Sequence, residues 1–426
     1  MLPQDSYTAA LIRFIAASPT AFHAAASIAA LLWQNGFIQL DEQDSWHRLP
    51  AGKYFVLRND SSLIAFSWQG GNAAVGMIGA HTDSPGLRLK PNPLRREQNC
   101  FQLGVEIYGK ALLRPWFDRE LSLAGRVSWH EIDGESCSAL LDFKQPVGII
   151  PSLAIHLNKK ANKRQEINSQ TDIVPLIGLF DGEELDFQHI LHERLRRQHP
   201  EADPAGFIDH ELFFYDAVPP ALIGMAGEFI ASARLDNLVS CFAAAHALLK
   251  ADSDKNCLIV LNDHEETGSV SAVGAHGPFL HDILERLLPD AEDRQAVLRR
   301  SFLISADNSH AFHPNYPAKH DPQHLSLLGK GLVISFNANQ RYATNAPSAA
   351  RFRQLCARAE VPVQAFVSRN DLAAGSTLGS LTAAKTGINT VDIGIPSLAM
   401  HSIRETAACI DCWYLYNALR TFFHHS

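Results

Sequence analysis

An α/β fold, a mixed sheet flanked by helices, follows from three features of the sequence. Short β-branched apolar runs recur along the chain, among them AAVGMIGA, NCLIVLN and SFLISA, each ending in turn-forming or polar residues. Several are followed by segments of helical period, such as NLVSCFAAAHALLK, and the chain closes on another, TAACIDCWYLYNALRTFF. At 426 residues it is too long for one simple core, and its length suggests about two domains.

Composition narrows the class. Hydrophobic residues make up 46 % and charged residues 19 %, without low-complexity tracts, which excludes a disordered chain or a coiled coil. A net charge of -8 argues against nucleic acid as a partner, since phosphate binding needs a basic face. The short basic cluster KKANKR, 159–164, reads as a solvated loop.

The N-terminal stretch reads as two amphipathic helices broken at SPT. Asp5, Arg13 and His23 interrupt its apolar patches, unlike a signal peptide. Nor does any window reach the roughly twenty apolar residues of a membrane span. Seven cysteines without framework spacing point to the cytoplasm. Cys409 and Cys412 fall in the last helical segment and read as core packing.

Five apolar runs end on a metal-ligand type of residue. AAVGMIGA ends at His81, GEFIASARL at Asp236, NCLIVLN at DHEETGS with Glu265 and Glu266, SFLISA at Asp307, and NTVDIGIPSLAM at His401. Ligands of open α/β sheets bind beyond the carboxyl ends of the strands, so these residues are expected to converge. Gathered carboxylates repel one another, and a cation must sit among them. Imidazole and carboxylate without paired thiolates suit Zn²⁺, Mn²⁺ or Co²⁺.

Two ions bridged by one carboxylate would use these ligands economically. Asp236 would bridge, with His81 and Asp307 on one ion and Glu266 and His401 on the other. Neighbours on an extended segment point to opposite sides, so Glu265 is left to act as the base. Asp83 is placed to orient His81 through its other ring nitrogen. The chemistry expected is metal-assisted hydrolysis.

Over nearly its whole length the chain resembles the M18 family of metallopeptidases, the aspartyl aminopeptidases. The resemblance rests on GAHTDSPGLRLKP, SARLDN, DHEETGS, DNSHAFHPNY, NQRYATNA and LAMHSIRE. It implies a zinc-peptidase-like sheet domain, 1–90 plus 234–426, with an inserted mainly β oligomerisation domain, 91–233, that has many short strand-like runs of its own. It implies two zinc ions on the five ligands named above, Glu265 as base, and removal of an N-terminal Asp or Glu from peptides.

The resemblance also implies a homo-oligomer, a tetrahedral dodecamer, in which His156 of IPSLAIHLNKK reaches a neighbouring subunit's site; read without it, His156 is a half-buried strand histidine. His310 and Tyr342 are expected to bind substrate. One departure concerns specificity: relatives carry a lysine in a V-I-K-V-N strand where this chain has Ser335 in VISFN, with His156, His310 or Arg341 as the alternative source of positive charge. Alternative readings are a metal-dependent deacylase or carboxypeptidase on the same scaffold, or a non-catalytic assembly protein.

Overall fold

The computed structural model describes residues 4–46, 49–131, 133–163, 166–252, 254–372 and 375–425. The chain divides into two compact units, Met1–Asp83 with Pro220–Met400 and Glu405–Ser426, and Ser84–Pro219 with His401–Arg404.

The first unit is built on a nine-stranded mixed sheet. Its order is Ile38–Gln39, Gly52–Arg58, Ser62–Trp68, Asn256–Asn262, Val75–His81, Phe302–Ala306, Asn389–Gly394, Leu332–Phe336 and Val363–Val367. The four strands from Asn256–Asn262 to Asn389–Gly394 are mutually parallel. All residues of Val75–His81 and Asn256–Asn262 are buried, as continuous apolar runs covered on both faces should be.

Alternation along these strands feeds two cores. Ile78, Ile259 and Ile304 face one layer, with the helices Gln4–Ala16, Ala21–Gln34, Leu235–Leu248, Ala346–Arg358 and Cys409–His425. Met77, Leu258 and Leu303 face the other, with Phe279–Leu287 and Ala291–Arg300. The N-terminal helices are separated at Ser18–Thr20 as expected, and Thr20 caps the second by accepting the His23 N–H. Cys409 and Cys412 are buried in the last helix with free thiols.

A second sheet in this unit joins Ala221–Ile223, Phe229–Ser232, Glu405–Ala408, Pro396–Leu398 and Ser309–His310. Two of the five ligand-bearing segments therefore leave this small sheet, not the large one. The apolar run from Asn389 to Leu398 is split between the two sheets.

The other unit is a six-stranded sheet with antiparallel pairings, Ser136–Asp142, Leu121–His130, Asp209–Asp216, Gly86–Glu97, Cys100–Tyr108 and Leu176–Leu179. One helix, Phe187–Gln198, buries Phe187, Leu191 and Leu195 against its core. Lys159, Lys160 and Lys163 are exposed; Arg164, the last residue of the basic cluster, lies outside the described residues.

Candidate metal centre

The parallel strands deliver their ends to one edge. Asn262 is in register with His81, and the Thr82 N–H donates to the Asn262 carbonyl at 2.8 Å. Strand interiors buried on both sides cannot hold a charge cheaply, so the polar residues wait until the chain leaves the sheet. Asp307 follows its strand directly, and its N–H donates to Ile393 at 2.9 Å. A Cβ on Gly394 would overlap the Asp307 carbonyl, so this close approach needs glycine.

Asp236 stands at the entry of Leu235–Leu248, where it and Asn237 have non-helical backbone angles. The Asp236 N–H donates to Glu405 Oε2 at 2.9 Å, and Asn237 Nδ2 donates to the Ala306 carbonyl at 2.8 Å. The helix entry is thereby tied to the strand end that presents Asp307.

His81 lies at the centre of these groups and is buried. Its Nε2 is 3.4 Å from Asp236 Oδ1 and 3.4 Å from Asp307 Oδ1. Those separations are long for hydrogen bonds. A tetrahedral ion bound at about 2.0–2.1 Å from nitrogen and about 2.0–2.2 Å from oxygen puts two of its ligands about 3.4 Å apart, which is the spacing seen here. His81 Nδ1 is 3.1 Å from the Asp83 carbonyl and 3.4 Å from Asp83 Oδ1. A proton held at Nδ1 by these acceptors leaves the Nε2 lone pair for a cation.

The adjacent glutamates are arranged differently from the extended geometry expected. Glu265–Thr267 is a single 3-10 turn, entered through His264 with φ 64. Side chains in such a turn diverge by about 120° and do not point oppositely. Asp83 fixes the turn, its Oδ1 accepting the Glu265 N–H at 3.2 Å and its Oδ2 the Glu266 N–H at 3.1 Å. Ligand atoms of His81, Asp236 and Asp307, and of His81, Glu265 and Glu266, fall into groups within 4.8 Å.

The electrostatics demand positive charge. Burial alone would lower the His81 pKa, but Asp307, Asp236 and Asp83 outweigh it and raise it well above its ordinary value. Burial pushes the Glu265 carboxyl up to about 8, with Asp307, Asp83 and Asp236 adding to it and His81 opposing. Glu266 is raised well above its usual range by burial first and Asp236 next.

His401 opens the segment His401–Arg404 of the second unit, where its Nδ1 is 3.1 Å from the Lys110 carbonyl. His156 is exposed in a turn, not half-buried in a strand, because its apolar neighbours Leu153, Ile155 and Leu157 are exposed as well. His310 is exposed at the edge of the small sheet, its ring 6.0 Å from the Phe366 ring. Tyr342 is buried against Val333 and Phe366, and burial, then the Asp307 and Asp392 carboxylates, raises its hydroxyl pKa. Among the buried acids that the sequence did not single out are Glu405 and Asp392. Asp392 was visible only as a carboxylate inside an otherwise apolar run, and Glu405, between Arg404 and Thr406, carried no such signal.

Comparison with known proteins identifies the family. The model of the Aminopeptidase I zinc metalloprotease (M18) family matches residues 14–423. A probable M18 family aminopeptidase 2 of Pseudomonas entomophila is 52 % identical over 424 residues, 99 % of this chain and 98 % of that protein. One of Pseudomonas fluorescens is 51 % identical over 97 % of both chains. The cryo-EM structure of the Ape4 and Nbr1 complex contains a chain 39 % identical, with TM-score 0.94 over 99 % of this chain and 86 % of that one. The S. cerevesiae mApe1 dodecamer matches with TM-score 0.84 at 27 % identity, over 98 % of this chain and 96 % of that one. Among the described residues no helix is long and apolar enough to cross a membrane. With the family model matching almost the whole chain and relatives similar over their full length, this chain belongs to the M18 family of zinc metallopeptidases and is a metallo-aminopeptidase.

Proposed function

We propose that the protein is a dinuclear aminopeptidase acting on peptides with a free N-terminal amine, with Asp236 shared between two ions. The observation that carries this reading is His81 Nε2 standing 3.4 Å from both Asp236 and Asp307. His81 and Asp307 serve one ion. Glu266 and His401 serve the other, a reading supported by the donor types alone, a carboxylate and an imidazole. Zinc fits these borderline donors, and Mn²⁺ or Co²⁺ would also suit them.

When bound, the ions polarise the scissile carbonyl and lower the pKa of the attacking water. Glu265 takes the proton from that water and hands it to the leaving amine nitrogen. Asp83 keeps both glutamates and the His81 ring in place. His310 and Tyr342 contact the substrate. An acidic N-terminal residue is accepted, but Ser335 offers only a neutral hydrogen bond where relatives carry an ammonium, so neutral residues compete.

The six-stranded unit serves assembly. Leu153, Ile155 and Leu157 are 56, 49 and 76 % exposed around His156, an apolar patch of the kind that marks a protein interface. A second copy of this chain covers it, as the dodecameric structure of the relative supports, and His156 completes the neighbour's site. The decisive experiment compares free-amine with N-acetylated peptides before and after metal stripping. Cleavage limited to free amines, lost with the metal and restored with zinc, is expected. Preferential cleavage of N-acetylated substrates would overturn the reading in favour of a deacylase.

A further inference from the structure

Asp392 is a carboxylate buried in the middle of the strand Asn389–Gly394, on the face opposite Val391 and Ile393. A charge there needs a reason. Its Oδ2 accepts the Ala343 N–H at 2.6 Å, and its Oδ1 accepts the Thr377 hydroxyl at 2.6 Å. Its own N–H donates to Thr344 Oγ1 at 2.9 Å. Gly379 packs so tightly here that a Cβ would overlap Asp392 Oδ1. One residue thus joins its strand, the entry of the helix Leu378–Thr386, and the loop 337–345.

That loop has three anchors. At its start Asn337 Oδ1 accepts the Asn339 N–H at 2.9 Å. At its end Asn345 caps the helix Ala346–Arg358 in a capping box with Ser348. Between them Asp392 ties down Ala343 and Thr344, Ser376 Oγ donates to the Arg341 carbonyl at a longer 3.5 Å, and the residue between these ties is Tyr342. The next residue of the Asp392 strand, Ile393, receives the Asp307 N–H. The same strand therefore sets the backbone of a metal-ligand candidate and the loop that presents Tyr342.

We propose that Asp392 is a positioning residue for substrate binding, holding the loop 337–345 so that Tyr342 stands beside the Asp307 side of the centre. This rests on the aminopeptidase reading for its catalytic consequence, but the loop anchoring is independent of it. Asp392 touches neither substrate nor reacting atoms and acts through Tyr342. A carboxamide can still accept from Ala343 while its amino group donates to Thr377 Oγ1, so Asp392→Asn should keep the loop in place. Asp392→Ala should release it.

The test uses the full-length metal-loaded enzyme, with Asp392→Ala, Asp392→Asn, Thr344→Val and Tyr342→Phe, alone and with Tyr342→Phe as the second change. Amide hydrogen exchange over 339–344 should accelerate in Asp392→Ala and in Thr344→Val, which keeps its shape but loses the acceptor for the Asp392 N–H. Metal content should stay at the wild-type level in both. kcat/KM should fall roughly tenfold to a hundredfold in Asp392→Ala, as expected for a misplaced binding group, and recover in Asp392→Asn. On the Tyr342→Phe background the Asp392→Ala loss should largely vanish. An equal loss on both backgrounds, or unchanged loop exchange in Thr344→Val should Asp392→Ala fail to fold, would overturn the proposal. A wild-type enzyme inactive on free-amine peptides would refute the aminopeptidase reading while leaving the exchange result to decide the anchoring.

Discussion

Asp83 accepts the backbone N–H of Glu265 at 3.2 Å through Oδ1, while that same oxygen lies 3.4 Å from His81 Nδ1. One buried carboxylate therefore aligns an imidazole ligand and the turn that bears both glutamates. Asp83→Ala strands two partly buried N–H groups and unfixes the ring. Metal affinity should weaken by roughly tenfold to a hundredfold, the usual loss when a ligand's supporting group is removed. Asp83→Asn, with one acceptor left, should fall between. Competitive chelator titration measures this, and wild-type affinity in Asp83→Ala would refute the support role.

Glu265→Gln should keep both metal and fold while lowering turnover by roughly a hundredfold to ten-thousandfold, because an amide cannot accept the proton. Glu266→Gln should instead lower metal occupancy. Elemental analysis beside steady-state kinetics separates the two. Equal metal loss in both would show that the two glutamates share one task.

His156→Ala should impair turnover although the wild-type side chain is exposed in its own chain. Reassembling His156→Ala chains with Glu265→Gln chains should restore part of the activity, since some sites then draw each intact group from a different chain. Mass spectrometry verifies mixing. No recovery in verified mixed oligomers would exclude a shared site.

Ser335 is buried, and Ile334 pairs with Ile393 in antiparallel register, so Ser335 stands across from Asp392 one step along. A lysine there would have Asp392 to offset its desolvation, and Ser335→Lys should fold. An ionic hydrogen bond contributes about 1.5–3 kcal/mol against about 1 for a neutral one, so the variant should raise the preference for Asp over Leu roughly threefold to thirtyfold. kcat/KM on Asp-, Glu-, Leu- and Ala-anilides gives the ratio. A wild-type preference for Asp above about a thousandfold, equivalent to about 4 kcal/mol, and unaltered by lysine, would place selection elsewhere.

His246 is packed 4.1 Å from the Phe242 ring, centroid to centroid, and burial, with Lys250 adding, lowers its pKa to about 4. Its neutral form is favoured in the folded state, so the stability it contributes is present above the unfolded value of about 6.5 and is lost as pH falls toward the folded value. The shift corresponds to about 3 kcal/mol. Between pH 7 and pH 4 the wild type should lose that much more than His246→Phe, read from urea midpoints at each pH. Parallel losses in the two proteins would contradict the assignment.

The sequence alone determined where the ligand types stand. A strand buried on both faces holds a charge only where the fold supplies partners for it, so apolar runs ending at His81, Asp307 and the Glu265–Glu266 pair announce a sheet edge and what it carries. Periodicity likewise set the N-terminal helices and the final helix that buries Cys409 and Cys412. What only the tertiary structure decided depends on groups far apart in the chain. Glu265–Thr267 curls into a 3-10 turn because Asp83, some 180 residues away, accepts both of its leading N–H groups. Asp392 and Glu405 sit in short runs that read as strand, and only Ala343, Thr377 and the Asp236 N–H reveal why a carboxylate is buried there. A residue's own neighbours report its burial, whereas the partner of a buried charge is supplied by the fold.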